Sequence, residues 1–231
     1  AAHINNMFPD GIGKMSPEAP PKDFNWDMWL GPRPFIPYKY NIAPYTFRWW
    51  SDYSSQMGNW GVHYMDVIRW MLGEVAPVSI SAHGGKYILD HDGDIPDTMQ
   101  VTFEFASGKI IEFCIYEACG VPLFPDGEIE LRGTKGTLYA DEDGYKILPS
   151  SKGQFQTWSK LTEPGSFDAK NGMLADGSSK GSTENLIRNF LDCVKSRGPT
   201  NASGRVMRSS HVACHAAGIA WKLGRTLRFD P

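Results

Sequence analysis

The sequence predicts an α+β fold, a large and mostly antiparallel sheet with helices packed on one face. Residues 78–148 alternate apolar and polar side chains in short runs, the period-two signature of half-buried strands. The links between these runs are tight turns such as Ser107-Gly108 and Asp143-Gly144, too short for crossover helices, so successive strands are expected to be antiparallel neighbours. Apolar residues recur at three- and four-residue steps in residues 56–73, 183–196 and 205–223, which supplies the helices. A chain of 231 residues with 41% hydrophobic and 21% charged side chains can bury a real core, and it is read as a single domain over residues 1–231.

Residues 1–6 suit a strand. The Pro- and Gly-rich run that follows, within residues 1–50, holds eight of the sixteen Pro, so no long helix or central strand fits there. Phe24, Trp26, Trp29, Phe35, Tyr38, Tyr40, Tyr45 and Phe47 run through it, and disordered segments are poor in aromatics. It is therefore read as an ordered loop laid over the core, with one helical turn at residues 25–30 capped by Asn25 and stopped by Gly31-Pro32.

The helix at 56–73 is expected to bury Met57, Trp60, Val67, Trp70 and Met71. Gly58 and Gly61 sit in its first turn, where each costs up to about 1 kcal/mol relative to Ala. The sheet follows over residues 76–148, and its runs Val101, Phe103, Phe105 and Ile111, Phe113, Ile115 carry enough apolar bulk to cover both faces. Residues 150–181 read as a loop. Residues 183–231 give two helices and a final strand, the first helix with Leu186, Ile187, Phe190, Leu191 and Val194 on one face. Of the four Cys, Cys114, Cys193 and Cys214 are read as buried small hydrophobes, not a disulfide framework.

A net charge of −3 with no basic block gives no footprint for nucleic acid or an anionic membrane, and no apolar run approaches the length of a membrane span. Metal binding is not expected. His211, Cys214 and His215 share a helix face at ligand spacing, but no fourth donor lies nearby, and the small residues around them mark a packing helix. Asp90, Asp92 and Asp94 alternate like the start of a calcium loop without its Gly and Glu positions. Neither Gly11 to Lys14 nor Gly133 to Gly136 has the spacing of a phosphate loop.

The chemistry concentrates in residues 48–73. Asn59, His63 and Asp66 fall at i−4, i and i+3 on one helix face. Imidazole exchanges protons near neutral pH, and a carboxylate one turn away can orient its ring. Aromatic rings beside polar groups suit a sugar, whose C–H faces stack while its hydroxyls find partners. The candidate catalytic residues are His63 and Asn59, and the candidate substrate-binding residues are Trp49, Trp50, Tyr53, Arg48 and Asp66.

WDMWLGPRP, FRWWSDYSSQMGNWGVHYMDVIRWMLGE, IPDT, ELRGTKGTLY, FLDCVKSRGP and CHAAGIAWKLGRTLRFDP, in that order, resemble the C-terminal domain of the Gfo/Idh/MocA oxidoreductases, in the carbohydrate-active bacterial branch. The resemblance spans essentially the whole chain. It implies a dihydrodipicolinate-reductase-like α+β domain following a Rossmann domain, NAD- or NADP-dependent oxidation or reduction of a sugar, polyol or derivative, and a homo-oligomer built through the sheet face. His63 matches the family's acid/base. Asn59 stands where the family often has Asp, and an amide can hold a hydroxyl but cannot act as a base.

No strand–GxGxxG–helix unit and no Glu-Lys-Pro motif is present. The expectation is that the Rossmann domain lies outside this chain and that the chain alone binds no NAD(P). Two other readings remain: an NAD-dependent glycosidase or lyase acting through a transient keto-sugar with the same residues, and a cofactor-free binding or oligomerisation module. Localisation is left open between the cytoplasm and, should a leader precede Ala1, the periplasm.

Overall fold

The computed structural model describes residues 1–5, 7–121, 123–124, 128–141, 144–151, 163–168 and 183–230. It divides into two compact units, one of residues 3–121 and 210–231, the other of residues 1–2 and 122–209. The α+β class and the antiparallel pairing expected from the sequence are both present, with the strands in two sheets rather than one. Residues 118–128, which join the two sets of strands, carry two Pro and two Gly, a composition that resists strand continuation.

The larger unit holds a five-stranded sheet in the order β1 (Ala2–Asn5), β4 (Ile110–Glu117), β3 (Thr98–Glu104), β2 (Ser79–Gly85), β9 (Leu227–Arg228). In its antiparallel register Val101 opposes Phe113, Phe103 opposes Ile111 and Met99 opposes Ile115, with Ile80 across from Phe103 on the next strand. All seven are buried. The expectation that these strands cover both faces is therefore corrected. Val101, Phe103, Phe105, Ile111, Phe113 and Ile115 are all buried on one side, while Gln100, Thr102, Glu104, Glu112, Cys114 and Tyr116 alternate with them on the other. β3 and β4 run in the same inside–outside phase, so the second face is polar.

α1 (Trp26–Leu30) lies in the proline-rich stretch and is described with it below. A π-helical turn, Met57–Gly61, leads into α2 (Val62–Leu72), which ends on Gly73 in the left-handed conformation. Tyr64, Met65 and Ile68 of α2 are buried, and the Tyr64 ring lies 5.3 Å from that of Phe113. Gly61 belongs to the same buried stripe, where an added Cβ would sit 3.0 Å from Met57 Cε and 3.6 Å from Phe113. This corrects the expected helix face. Met57 is buried, but Trp60, Val67, Trp70 and Met71 are exposed. The true contact stripe contains Gly61, whose missing side chain hides it from any count of apolar residues.

α4 (Gly204–Leu223) contributes buried Ala213, Cys214, Ala217 and Ala220 to this unit, small side chains that allow close approach. Arg69 donates to Ser210 Oγ at 2.7 Å, Ser210 in turn donates to Asp66 at 2.9 Å, and Trp221 donates to the Gly84 carbonyl at 2.9 Å, fixing α4 to α2 and β2.

The proline-rich stretch builds a small core of its own from Trp26, Leu30, Tyr38, Ile42 and Ala43, with Trp29, Trp50 and Tyr53 packed against it. α1 forms as expected, with the Asn25 side chain accepting from the Met28 N–H at 2.9 Å. The three alternating aspartates pin this stretch. Asp90 pairs with Lys14, Asp92 accepts from the Met15 N–H, Lys39 and Asn41, and Asp94 accepts from the backbone and hydroxyl of Ser51. Each carboxylate is committed to its own set of protein donors. Those on Asp92, the Met15 N–H foremost, hold its pKa down at about 2.

The smaller unit carries a four-stranded antiparallel sheet, β5 (Ile129–Arg132), β6 (Gly136–Asp141), β7 (Gly144–Pro149) and β8 (Gly165–Asp168), and the helix α3 (Thr183–Ser196). β8 corrects the reading of residues 150–181 as loop throughout, since it pairs with β7 from Gly144↔Asp168 to Ile147↔Gly165. Most of the remaining residues in that range lie outside the described ones. Leu186, Ile187, Phe190, Leu191 and Val194 on α3 are exposed. Cys214 is buried, but Cys114 and Cys193 are only half-buried, which corrects their reading as core residues.

Candidate active site

The link between Phe47 and the π-helical turn positions the candidate residues of the larger unit. A 3-10 turn, Thr46–Trp49, presents Arg48, whose guanidinium lies 4.2 Å from the Tyr45 ring centroid and 4.5 Å from that of Phe47. Arg48 Nη1 donates to the Tyr45 carbonyl at 2.8 Å and Nε donates to Asn59 Oδ1 at 3.3 Å. Asn59 is thus held by its oxygen, leaving its amide N–H groups as donors. The π-helical geometry at residues 57–61 is rare and is often found at functional sites.

His63 follows one turn later and is exposed. Its ring centroid lies 6.1 Å from that of Trp60. With Trp60, Val67 and Trp70 also exposed, the last to 81%, His63 sits in an apolar strip on the outward side of α2. Asp66 is directed elsewhere: its Oδ1 accepts from the buried Ser210 hydroxyl. Desolvation lowers the pKa of the buried Arg69 guanidinium in the same network, and the Asp66 charge works against that shift.

The aromatic candidates separate. Trp49 is 2% exposed, with Nε1 donating to Glu117 at 3.3 Å and its ring edge-on to Phe8. Trp50 donates to the Asn41 carbonyl at 2.8 Å within the aromatic cluster. Tyr53 alone among them lines a cavity in this unit, a space of about 680 Å³. Its ring carries the Arg33 guanidinium at 4.9 Å, and burial pushes its hydroxyl pKa up.

The structure therefore joins Arg48 to Asn59 and leaves His63 exposed on α2, with Tyr53 at a cavity and Trp49, Trp50 and Asp66 bonded to other partners. The cavity also draws on residues not singled out as polar contacts from the sequence: Gln56, Ser54 and Ser55 ahead of the π-helical turn, and His211 and His215 on α4. The i, i+4 spacing of the two histidines was a usable signal, but for a shared cavity face rather than a metal pair. Cys214 between them has its thiol pKa pushed up to about 12 by burial. Among the described residues, no group of three or more His, Cys, Asp or Glu is placed to hold a metal, and no helix is long and apolar enough to cross a membrane.

The larger unit thus combines an antiparallel sheet, an exposed imidazole on α2 and a wide cavity whose lining does not include that imidazole. The comparisons give the family. Residues 6–141 match the model described as "Oxidoreductase family, C-terminal alpha/beta domain", and the chain belongs to this Gfo/Idh/MocA family. Among solved structures it is similar to an oxidoreductase from Agrobacterium radiobacter in complex with NAD+, L-tartaric acid and magnesium, at 18% identity and a TM-score of 0.53 over 74% of this chain and 48% of that one. An NAD-binding protein from Listeria innocua aligns at 14% identity and a TM-score of 0.53, covering 80% of this chain and 51% of that one. A UDP-N-acetylglucosamine 3-dehydrogenase from Acidithiobacillus ferrooxidans aligns at 14% identity and a TM-score of 0.52, covering 72% and 49%. The chain spans about half the length of these proteins, and at such identities the likeness is one of fold. No curated protein matches the chain.

Proposed function

We propose that this chain is the substrate-handling C-terminal part of an NAD(P)-dependent oxidoreductase acting on a sugar, a polyol or a derivative. The observation that carries the proposal is His63, exposed within an apolar strip at the start of α2, with Asn59 fixed one turn earlier by Arg48. An imidazole so placed can take the proton of a secondary hydroxyl on one ring nitrogen as that carbon is oxidised, and return it in the reverse direction. The Asn59 amide N–H groups can hold the same hydroxyl oxygen without competing for the proton. An exposed strip of Trp60, Val67 and Trp70 beside a polar group is the kind of surface that marks a binding face.

The described residues do not make a dinucleotide cradle. The strand pairs with a described register are antiparallel, and no Gly-rich turn joins a parallel strand to a helix N-terminus among them. A nicotinamide cofactor, NAD or NADP, would be held by residues other than these, and this chain supplies the proton and hydroxyl chemistry. The proposal is tested on the full-length protein with a panel of sugars and polyols, following NAD(P)H release. His63→Ala is expected to lower turnover by roughly 10²–10⁴-fold. Substrate conversion without net NAD(P)H release would favour transient oxidation of the sugar, and equal turnover by wild type and variant would overturn the assignment.

A further inference from the structure

His91 is 3% exposed, and two glycine backbones close on its ring. Gly11, in the left-handed conformation, meets one edge, where an added Cβ would sit 2.6 Å from His91 Cδ2. Gly93 meets another, where an added Cβ would sit 2.6 Å from His91 Cε1 and 2.7 Å from the Trp49 carbonyl oxygen. Only glycine lets the chain pass this close to the ring. The Gly93 N–H donates to His91 Nδ1 at 3.0 Å. Nδ1 is therefore an acceptor, and the neutral ring carries its proton on Nε2. The imidazole thus joins residues 8–14 to the loop 90–97. That loop also holds the Gly13 and Trp49 backbones, since the Asp92 N–H donates to the Gly13 carbonyl and the Asp94 N–H to the Trp49 carbonyl, each at 3.0 Å.

These surroundings suit the neutral ring. A proton added to Nδ1 would face the Gly93 N–H and take away its acceptor. Lys86 Nζ donates to the carbonyls of His91 and Gly93, which sets a cation beside the ring. The carboxylates around it have other donors. Asp97 accepts from the N–H groups of Tyr87, Ile88 and Leu89, Asp92 from the Met15 N–H, Lys39 and Asn41, and Asp90 pairs with Lys14. Burial first and Lys86 second push the His91 pKa below 6.5, with Asp97, Asp92 and Asp90 opposing. We propose that His91 is a proton-operated latch, which holds residues 8–14 and the Trp49 turn in place while neutral and releases them when Nδ1 is protonated. The closed form resists the proton, and the open form, with its ring in water, accepts it near 6.5, so opening gains as the pH falls below that value. At up to tenfold per pH unit, the open population rises by at most about thirtyfold between pH 7.5 and 5. Asp90, Asp92 and Asp97 stay ionised over this window, since each has its pKa lowered from 3.8. The latch operates whatever the role of His63.

The test is hydrogen exchange of the full-length protein between pH 7.5 and 5, read by mass spectrometry and corrected for the intrinsic pH dependence of exchange. Peptides covering residues 8–14 and 90–97 should lose protection by about threefold to thirtyfold toward pH 5, while those covering β3, β4 and α2 keep theirs. His91→Asn cannot titrate, and its side-chain oxygen can still accept from the N–H two residues on. His91→Phe keeps a ring in the space without an ionisable group. In both variants exchange of these peptides should be independent of pH over the same window, whatever protection is lost at pH 7.5. A change in the wild type of less than about threefold, an equal loss of protection throughout the chain, or the wild-type pH dependence retained in either variant would overturn the proposal. So would a His91 ring signal that titrates at 6.5 or above by NMR while the peptides stay protected.

Discussion

Asp92→Asn is the sharpest test of how the proline-rich stretch is anchored beside the site. In the folded protein the Asp92 carboxylate accepts from the Met15 N–H at 3.0 Å, from Lys39 Nζ at 3.0 Å and from Asn41 Nδ2 at 3.1 Å. These donors, led by the Met15 N–H, lower its pKa from 3.8 to about 2. At about 1.4 kcal/mol per unit, a drop of that size corresponds to roughly 2 kcal/mol of stability. The side chain is 19% exposed, so solvent screening trims this to about 1–2 kcal/mol. The folded value is depressed, so the contribution is fully present above pH 4 and is lost as the pH falls toward 2. For a chain of this size about 1 kcal/mol moves the melting temperature by roughly 2–4 °C, so the variant should melt roughly 2–8 °C below wild type at pH 7. Thermal melts of both proteins at pH 7, 4 and 2.5 read the gap, which should narrow at the lowest pH. A gap that is absent at pH 7, or that stays constant to pH 2.5, would refute the reasoning.

Phe113→Ala should cost about 3–5 kcal/mol in chemical denaturation, because it empties the space between Tyr64, Val101 and Gly61 under α2. Ser210→Ala should lower stability by about 1–3 kcal/mol, since it removes the hydroxyl that bridges Arg69 to Asp66 at a buried position. The Cys214 thiol, with its pKa pushed up to about 12 by burial, should resist alkylation at pH 8 while half-buried Cys114, Cys119 and Cys193 react, as peptide mass mapping would show.

The β-hairpins were legible because period-two alternation and turn residues act locally: β2, β3 and β4 lie where Ile80, Val101 and Phe113 place them. The Asn25 cap was legible for the same reason. The inside–outside phase of paired strands is a different matter. Whether Val101 and Phe113 face the same side depends on register, which a single strand does not encode. The face of α2 was misjudged because the four exposed residues Trp60, Val67, Trp70 and Met71 outweigh a buried stripe interrupted by Gly61. At the site, helical spacing set the expectation that Asn59, His63 and Asp66 share a face, but the capture of Asp66 by Ser210 links residues 144 positions apart, beyond the reach of any local pattern.

The central claim, that His63 is the acid/base of this chain, is tested most directly by measuring turnover and melting temperature on one sample of full-length His63→Ala. His63 is exposed on α2 and contributes little packing, so the account predicts a fall in kcat of roughly 10²–10⁴-fold with the melting temperature within about 1 °C of wild type. Full turnover with a lowered melting temperature would contradict it and leave α2 as scaffold.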